Sequence, residues 1–140
     1  MIKRAAILFS FVAIACSSCV RHDTAVLAIA MHGQRLASAH DIKVREGGLR
    51  EWVVEIYCHA NPNELRSTLQ LAGFVRDDSI PDRVRRAFPK AKDLIGNEIP
   101  SSAVGFRRTD LKTKNGKYCE LLCADDFTWA YVNYVDSGTS

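Results

Sequence analysis

The sequence predicts a small single α+β domain, an antiparallel sheet with two helical segments packed on one face. Three observations carry this. The run Trp52-Val53-Val54-Glu55-Ile56-Tyr57-Cys58 is rich in β-branched and aromatic residues and reads as a strand. Residues 101–140 hold apolar stretches separated by turn residues, as in a three-stranded meander. Two stretches between them repeat apolar residues at helical spacing. The 140 residues, 47% hydrophobic, are enough for one core of this kind and too few for two.

The chain opens with Lys3 and Arg4, and residues 5–15 then form an uncharged, mostly apolar run. A membrane span needs roughly 20 such residues, whereas a secretory signal needs about 7–15. Residues 1–15 are therefore read as a signal peptide. The run enters a cysteine as Val12-Ala13-Ile14-Ala15-Cys16. This resembles the lipobox of bacterial lipoproteins, with Ala13 standing where that family prefers Leu. The resemblance implies cleavage before Cys16 and diacylation of its sulfur. Ser17 follows where many inner-membrane lipoproteins carry Asp, which implies the outer membrane, facing the periplasm. The alternative is an ordinary signal cut after Ala13-Ile14-Ala15, giving a soluble secreted or periplasmic protein.

Losing residues 1–15 removes two of the 19 basic residues and none of the 16 acidic ones, so the net charge falls from +3 to about +1. Bulk charge gives a nucleic-acid partner no support.

After the signal, residues 16–23 are polar enough for a tether, and 24–136 form the domain. Residues 24–39 are alanine-rich and read as a helix, with Asp23 or Thr24 as cap and Gly33 as a weak point, or alternatively as a strand up to Met31. Ile42 to Glu46 alternates, Gly47-Gly48 turns, and 52–59 returns as the second arm of a hairpin. Asn61-Pro62-Asn63-Glu64 opens a helix, with Asn61 as cap, Pro62 in the first position and Glu64 placed for a capping box. Leu65, Leu69 and Ala72 line its apolar face, and Gly73 ends it. A second helical segment starts near Ser79 and ends near Gly96, interrupted by Pro89. In the meander, a three-residue turn at Lys114-Asn115-Gly116 puts Leu111 opposite Leu121. Asp125-Asp126 turns the chain into a last strand from Phe127 to Val135, and 137–140 is a polar tail.

With Cys16 acylated, Cys19, Cys58, Cys119 and Cys123 remain. An oxidising compartment favours disulfides. Cys119 and Cys123 lie four strand residues apart, about 13 Å, and cannot bridge each other. Cys58 is expected to pair with Cys123, or with Cys119, leaving Cys19 on the tether. Cys16-Ser17-Ser18-Cys19 has redox spacing, but an acylated Cys16 has no thiolate.

Catalytic and metal motifs are missing. The four histidines form no HxH or HExxH, and His32 and His40 would stand about 12 Å apart on a helix, so no metal is expected. Cys58 and His59 point to opposite faces of a strand. No GxSxG, P-loop or GxGxxG occurs, and no cofactor is expected. Two surfaces stand out. Arg83, Arg86 and Lys90 line one helical face, read first as a solvated charged face diluted by Asp77, Asp78, Asp82 and Asp93, and otherwise as suited to anionic head groups or an acidic partner. Trp129 and Tyr131 share a strand face with Phe127, which is either core covered by the N-terminal segment, residues 24–39, or an exposed partner surface, while Ala130 and Val132 take the helix-facing side. The expected function is macromolecule binding at the envelope, of an inhibitor, immunity or accessory type. The rival is a small periplasmic hydrolase whose site forms only in the fold.

Overall fold

The computed structural model describes residues 22–138. The expected signal peptide, the expected acylation site Cys16, Cys19 and most of the expected tether lie outside the described residues, as does the end of the tail. His22 and Asp23, assigned above to the tether, are already helical.

That first helix, α1, includes residues 22–30. It ends well short of residue 39. Gly33 N–H donates to the Ala28 carbonyl at 2.8 Å and His32 N–H to Ile29 at 3.2 Å, the paired bonds of a Schellman cap. His32 (φ +56°) and Gly33 (φ +79°) both take the left-handed conformation. The chain then forms β1 (His40–Gly47), β2 (Trp52–His59), α2 (Pro62–Leu71), β3 (Phe74–Arg76), α3 (Ile80–Ala87), α4 (Ala91–Ile95), β4 (Val104–Arg108), β5 (Lys117–Cys123) and β6 (Trp129–Asp136). The Asn61 side chain caps α2 by accepting from Asn63 and Glu64 N–H, as expected. Glu64 does not close the capping box. It accepts from Ser38 N–H at 2.9 Å instead, and Asn61 N–H donates to Ser38 Oγ at 2.9 Å, tying the loop after α1 to the start of α2. Pro89 separates α3 from α4, and Gly96 closes α4 in the left-handed conformation, φ +86°.

The six strands form one antiparallel sheet in the order β1-β2-β6-β5-β4-β3. The α+β class and the antiparallel sheet hold. The helices, however, divide between both faces instead of sharing one. On the first face, Val54, Ile56, Cys58, Leu121, Cys123, Ala130 and Val132 pack under Leu27 of α1, Met31 in the turn after it, and Leu65 and Leu69 of α2. Leu65 is fully buried there, so truncation to Ala would cost about 2–5 kcal/mol. On the second face, Tyr57, Leu122 and Tyr131 meet Ile80, Val84, Ala91 and Ile95 of α3 and α4. Gly105 allows this approach, since a Cβ there would stand 2.6 Å from Ile80 Cβ and 2.7 Å from the Asp77 carbonyl.

Two register expectations are corrected. Phe106, not Leu111, stands opposite Leu121, because the β4–β5 connection is longer than three residues and holds a 3-10 turn at Thr113–Asn115. Phe127 precedes β6 in the left-handed conformation (φ +61°) and packs with Phe106 on the first face, away from Trp129 and Tyr131.

Candidate functional site

The second sheet face is organised in cross-strand rows, and those rows hold the chemistry. Antiparallel register places His40, His59 and Trp129 side by side at the rim. Next come Lys43, Tyr57, Tyr131 and Leu122, and after them Arg45, Glu55, Asn133, Glu120 and Arg107.

The rim is aromatic and cationic. The His40 and His59 rings lie 5.6 Å apart, Tyr57 stands edge-on to His59 at 5.3 Å, and the Tyr57 and Trp129 centroids are 5.9 Å apart. Lys43 Nζ sits 5.7 Å from the Tyr57 centroid. Trp129 and His59 are half-buried, while His40 and Lys43 are exposed. Ring–ring contacts of this kind add about 0.5–1.5 kcal/mol beyond area burial, so the rim is ordered before any partner arrives.

Tyr131 is not part of that surface. It is fully buried, and its hydroxyl donates to Glu55 Oε1 at 2.6 Å. The covering layer is α3 and α4, not the N-terminal segment. The expected Trp129–Tyr131 surface is therefore reduced to Trp129.

The third row is polar and enclosed. Arg45 donates to both Glu55 oxygens, Nε to Oε2 at 2.6 Å and Nη2 to Oε1 at 2.8 Å, and also reaches the Lys90 carbonyl at 3.1 Å. Burial pushes the Glu55 carboxyl up, but the hydrogen bonds from Arg45 and Tyr131 outweigh it and hold Glu55 below the ordinary value. Glu120 goes the other way. Burial raises it, the nearby Asp77 charge adds to this, and Arg83 only partly offsets the rise. Arg83 Nη2 lies 2.9 Å from Glu120 Oε1 and 3.8 Å from Asp77. Between the two glutamates stands Asn133, fully buried, with neither amide atom hydrogen-bonded. With both Glu55 oxygens taken by donors, that carboxylate is poorly placed to act as a base.

The basic face Arg83, Arg86, Lys90 is thus divided. Arg83 turns inward to Glu120, whereas Arg86 and Lys90 are exposed, Arg86 donating to the Asp82 carbonyl at 3.4 Å.

The expected bridge from Cys58 to Cys123 or Cys119 is absent, and all three thiols are free and buried. The register explains it. Cys58 and Cys123 both pair with Ala130, from opposite sides of β6. Two strand spacings separate their backbones by about 10 Å, beyond disulfide reach. Cys119 is farther still. Burial pushes each thiol up to about 12.

Arg45, Glu55, Asn133 and Glu120 are not among the site residues expected from the sequence. The available signal was phase: each polar residue falls on the strand face shared with Tyr57, Tyr131 or Leu122. Among the described residues no cluster of three His, Cys, Asp or Glu is placed to hold a metal, and no helix is long and apolar enough to cross a membrane. Compared with known proteins, the chain matches no family model, no curated protein and no solved structure.

Proposed function

We propose that this chain is an envelope protein, held by an acyl group on Cys16 and facing the periplasm, that binds another macromolecule through the rim of its second sheet face. The observation that carries the reading is the ordered row of exposed His40 and half-buried His59 and Trp129, backed by the buried Tyr57 ring and flanked by Lys43. Aromatic rings fixed by neighbouring rings lose little freedom on binding, which suits them as anchors. Lys43 is exposed beside the rim, and the exposed Lys90 lies over the third row of the same face, where Arg45 holds its carbonyl, so an acidic envelope protein is the partner class favoured. The outer membrane is the favoured side, from Ser17 after Cys16.

The test has two arms. Intact-mass measurement on the membrane fraction should find the mature chain beginning at an acylated Cys16, and Cys16→Ala should release it. A photo-crosslinker in place of His59 should trap a partner in cells, and the same probe on the opposite face, in place of Arg66, should not. Equal trapping from both positions would sink the rim. A hydrolase remains the second reading, on the strength of the two glutamates whose affinities for protons are pushed in opposite directions. Hydrolysis of envelope material that disappears in Glu120→Gln would favour it.

A further inference from the structure

The Asn133 amide is the one unsatisfied buried polar side chain among the described residues, and both its oxygen and its nitrogen lack a partner. Leaving such a group dry is costly, and native proteins satisfy it with protein atoms or with ordered water. The surroundings are suited to water. Glu120 lies directly across from Asn133 in the β5–β6 register, and Arg83 contacts its Oε1. Its Oε2 makes no hydrogen bond among the described residues. Tyr118, one step further along β5 on the same face, is close enough for its hydroxyl to feel the amide, yet not in hydrogen-bonding geometry with it. On the other side, Glu55 cannot serve, because Arg45 and Tyr131 already occupy its oxygens.

We infer that a single buried water molecule sits between Asn133 and Glu120. It accepts from Asn133 Nδ2, donates one hydrogen to Asn133 Oδ1 and the other to Glu120 Oε2, with Tyr118 Oη as a further neighbour. Two to four polar partners is the usual complement of an internal water, and this site provides them. The water completes a polar row across β1, β2, β6, β5 and β4, and its two ends are latched to the helical layer by Arg45 on the Lys90 carbonyl and Arg83 on Glu120. It is thus a bound component of the interface between α3–α4 and the sheet.

The test is NMR on the full-length, nitrogen-15-labelled chain in detergent micelles. The side-chain amide protons of Asn133 should show a cross-peak to water that changes sign, relative to the diagonal, between laboratory-frame and rotating-frame spectra. That marks a long-lived dipolar contact. Tyr118→Phe should leave the cross-peak in place, since the hydroxyl is a neighbour and not the partner. No water peak, a peak of the chemical-exchange type alone, or a peak lost in Tyr118→Phe would overturn the assignment.

Discussion

Arg108 of β4 donates from Nη1 to the Ala30 carbonyl at 3.0 Å, across 78 residues of chain, and makes the same contact with Ile29 at 3.0 Å. Those carbonyls belong to the last turn of α1, where backbone acceptors run out of helical donors. The rest of the guanidinium is held by Asp110, at 2.9 Å from Nε and 2.6 Å from Nη2, and its side chain is only 4% exposed. A cation at a helix C-terminus is favourable, and a buried forked one is specific. Arg108→Leu should therefore cost about 3 kcal/mol in urea denaturation and speed amide exchange in α1 before the rest of the domain. Arg108→Lys should recover less than half, because an ammonium cannot hold Asp110 and two carbonyls in one plane. Equal exchange in α1 and wild type would show that the helix is held by its apolar face alone.

The two glutamates of the polar row make opposite predictions in pH. Glu55 is held below the ordinary 4.5, so its contribution to stability is present above that value and is lost as pH falls through its folded value. Glu120 is raised above 4.5, so its contribution is full below that value and is lost as pH rises through its folded value. Glu55→Gln should flatten the acid limb of the stability profile. Glu120→Gln should flatten the slope just above pH 4.5. Unfolding free energies measured by urea across this range check both signs.

Tyr131→Phe removes one donor to Glu55 and leaves Arg45 in place, so about 1.5 kcal/mol should be lost. Trp129→Ala should cost about 2 kcal/mol, below the 3–5 typical of a fully buried ring, because the indole is half-buried. Chemical denaturation of both variants measures this. A Trp129→Ala loss above 4 kcal/mol would make the ring core and remove it from the rim.

Cys58, Cys119 and Cys123 should resist alkylation in the folded protein and react together once it unfolds, since burial pushes each to about 12 and thiolate is the reactive form. Non-reducing peptide maps should find none of the three bridged to another. A Cys58–Cys123 peptide would contradict the strand register.

What the sequence made legible was local. The cap at Asn61, the break at Pro89 and the turn glycines Gly96 and Gly116 each act within a few residues, and each is where it was expected. Cross-sheet relationships were not legible. Whether Tyr131 faces solvent depends on which side α3 and α4 cover, and that depends on how the connection after β3 crosses the sheet. Cys58 and Cys123 do share an apolar face, as the alternation implied, but β6 lies between them. The glutamates of the polar row were read as ordinary strand residues, because their partners Arg45 and Arg83 are brought to them only by register and by helix placement.

The place of β6 has a consequence for how the chain acquires its structure. It comes last among the described strands, yet it sits inside the sheet, between β2 and β5. Until it arrives, the β1–β2 hairpin and the β3–β4–β5 portion have no backbone bond between them, and the buried faces of β2 and β5 lack their common neighbour. A polypeptide available for folding only as far as Asp126 therefore holds two separate fragments with open edges, and closure must wait for residues 129–136. Such late, long-range pairing makes assembly slow, and it leaves the facing edges of β2 and β5 open until the last strand arrives.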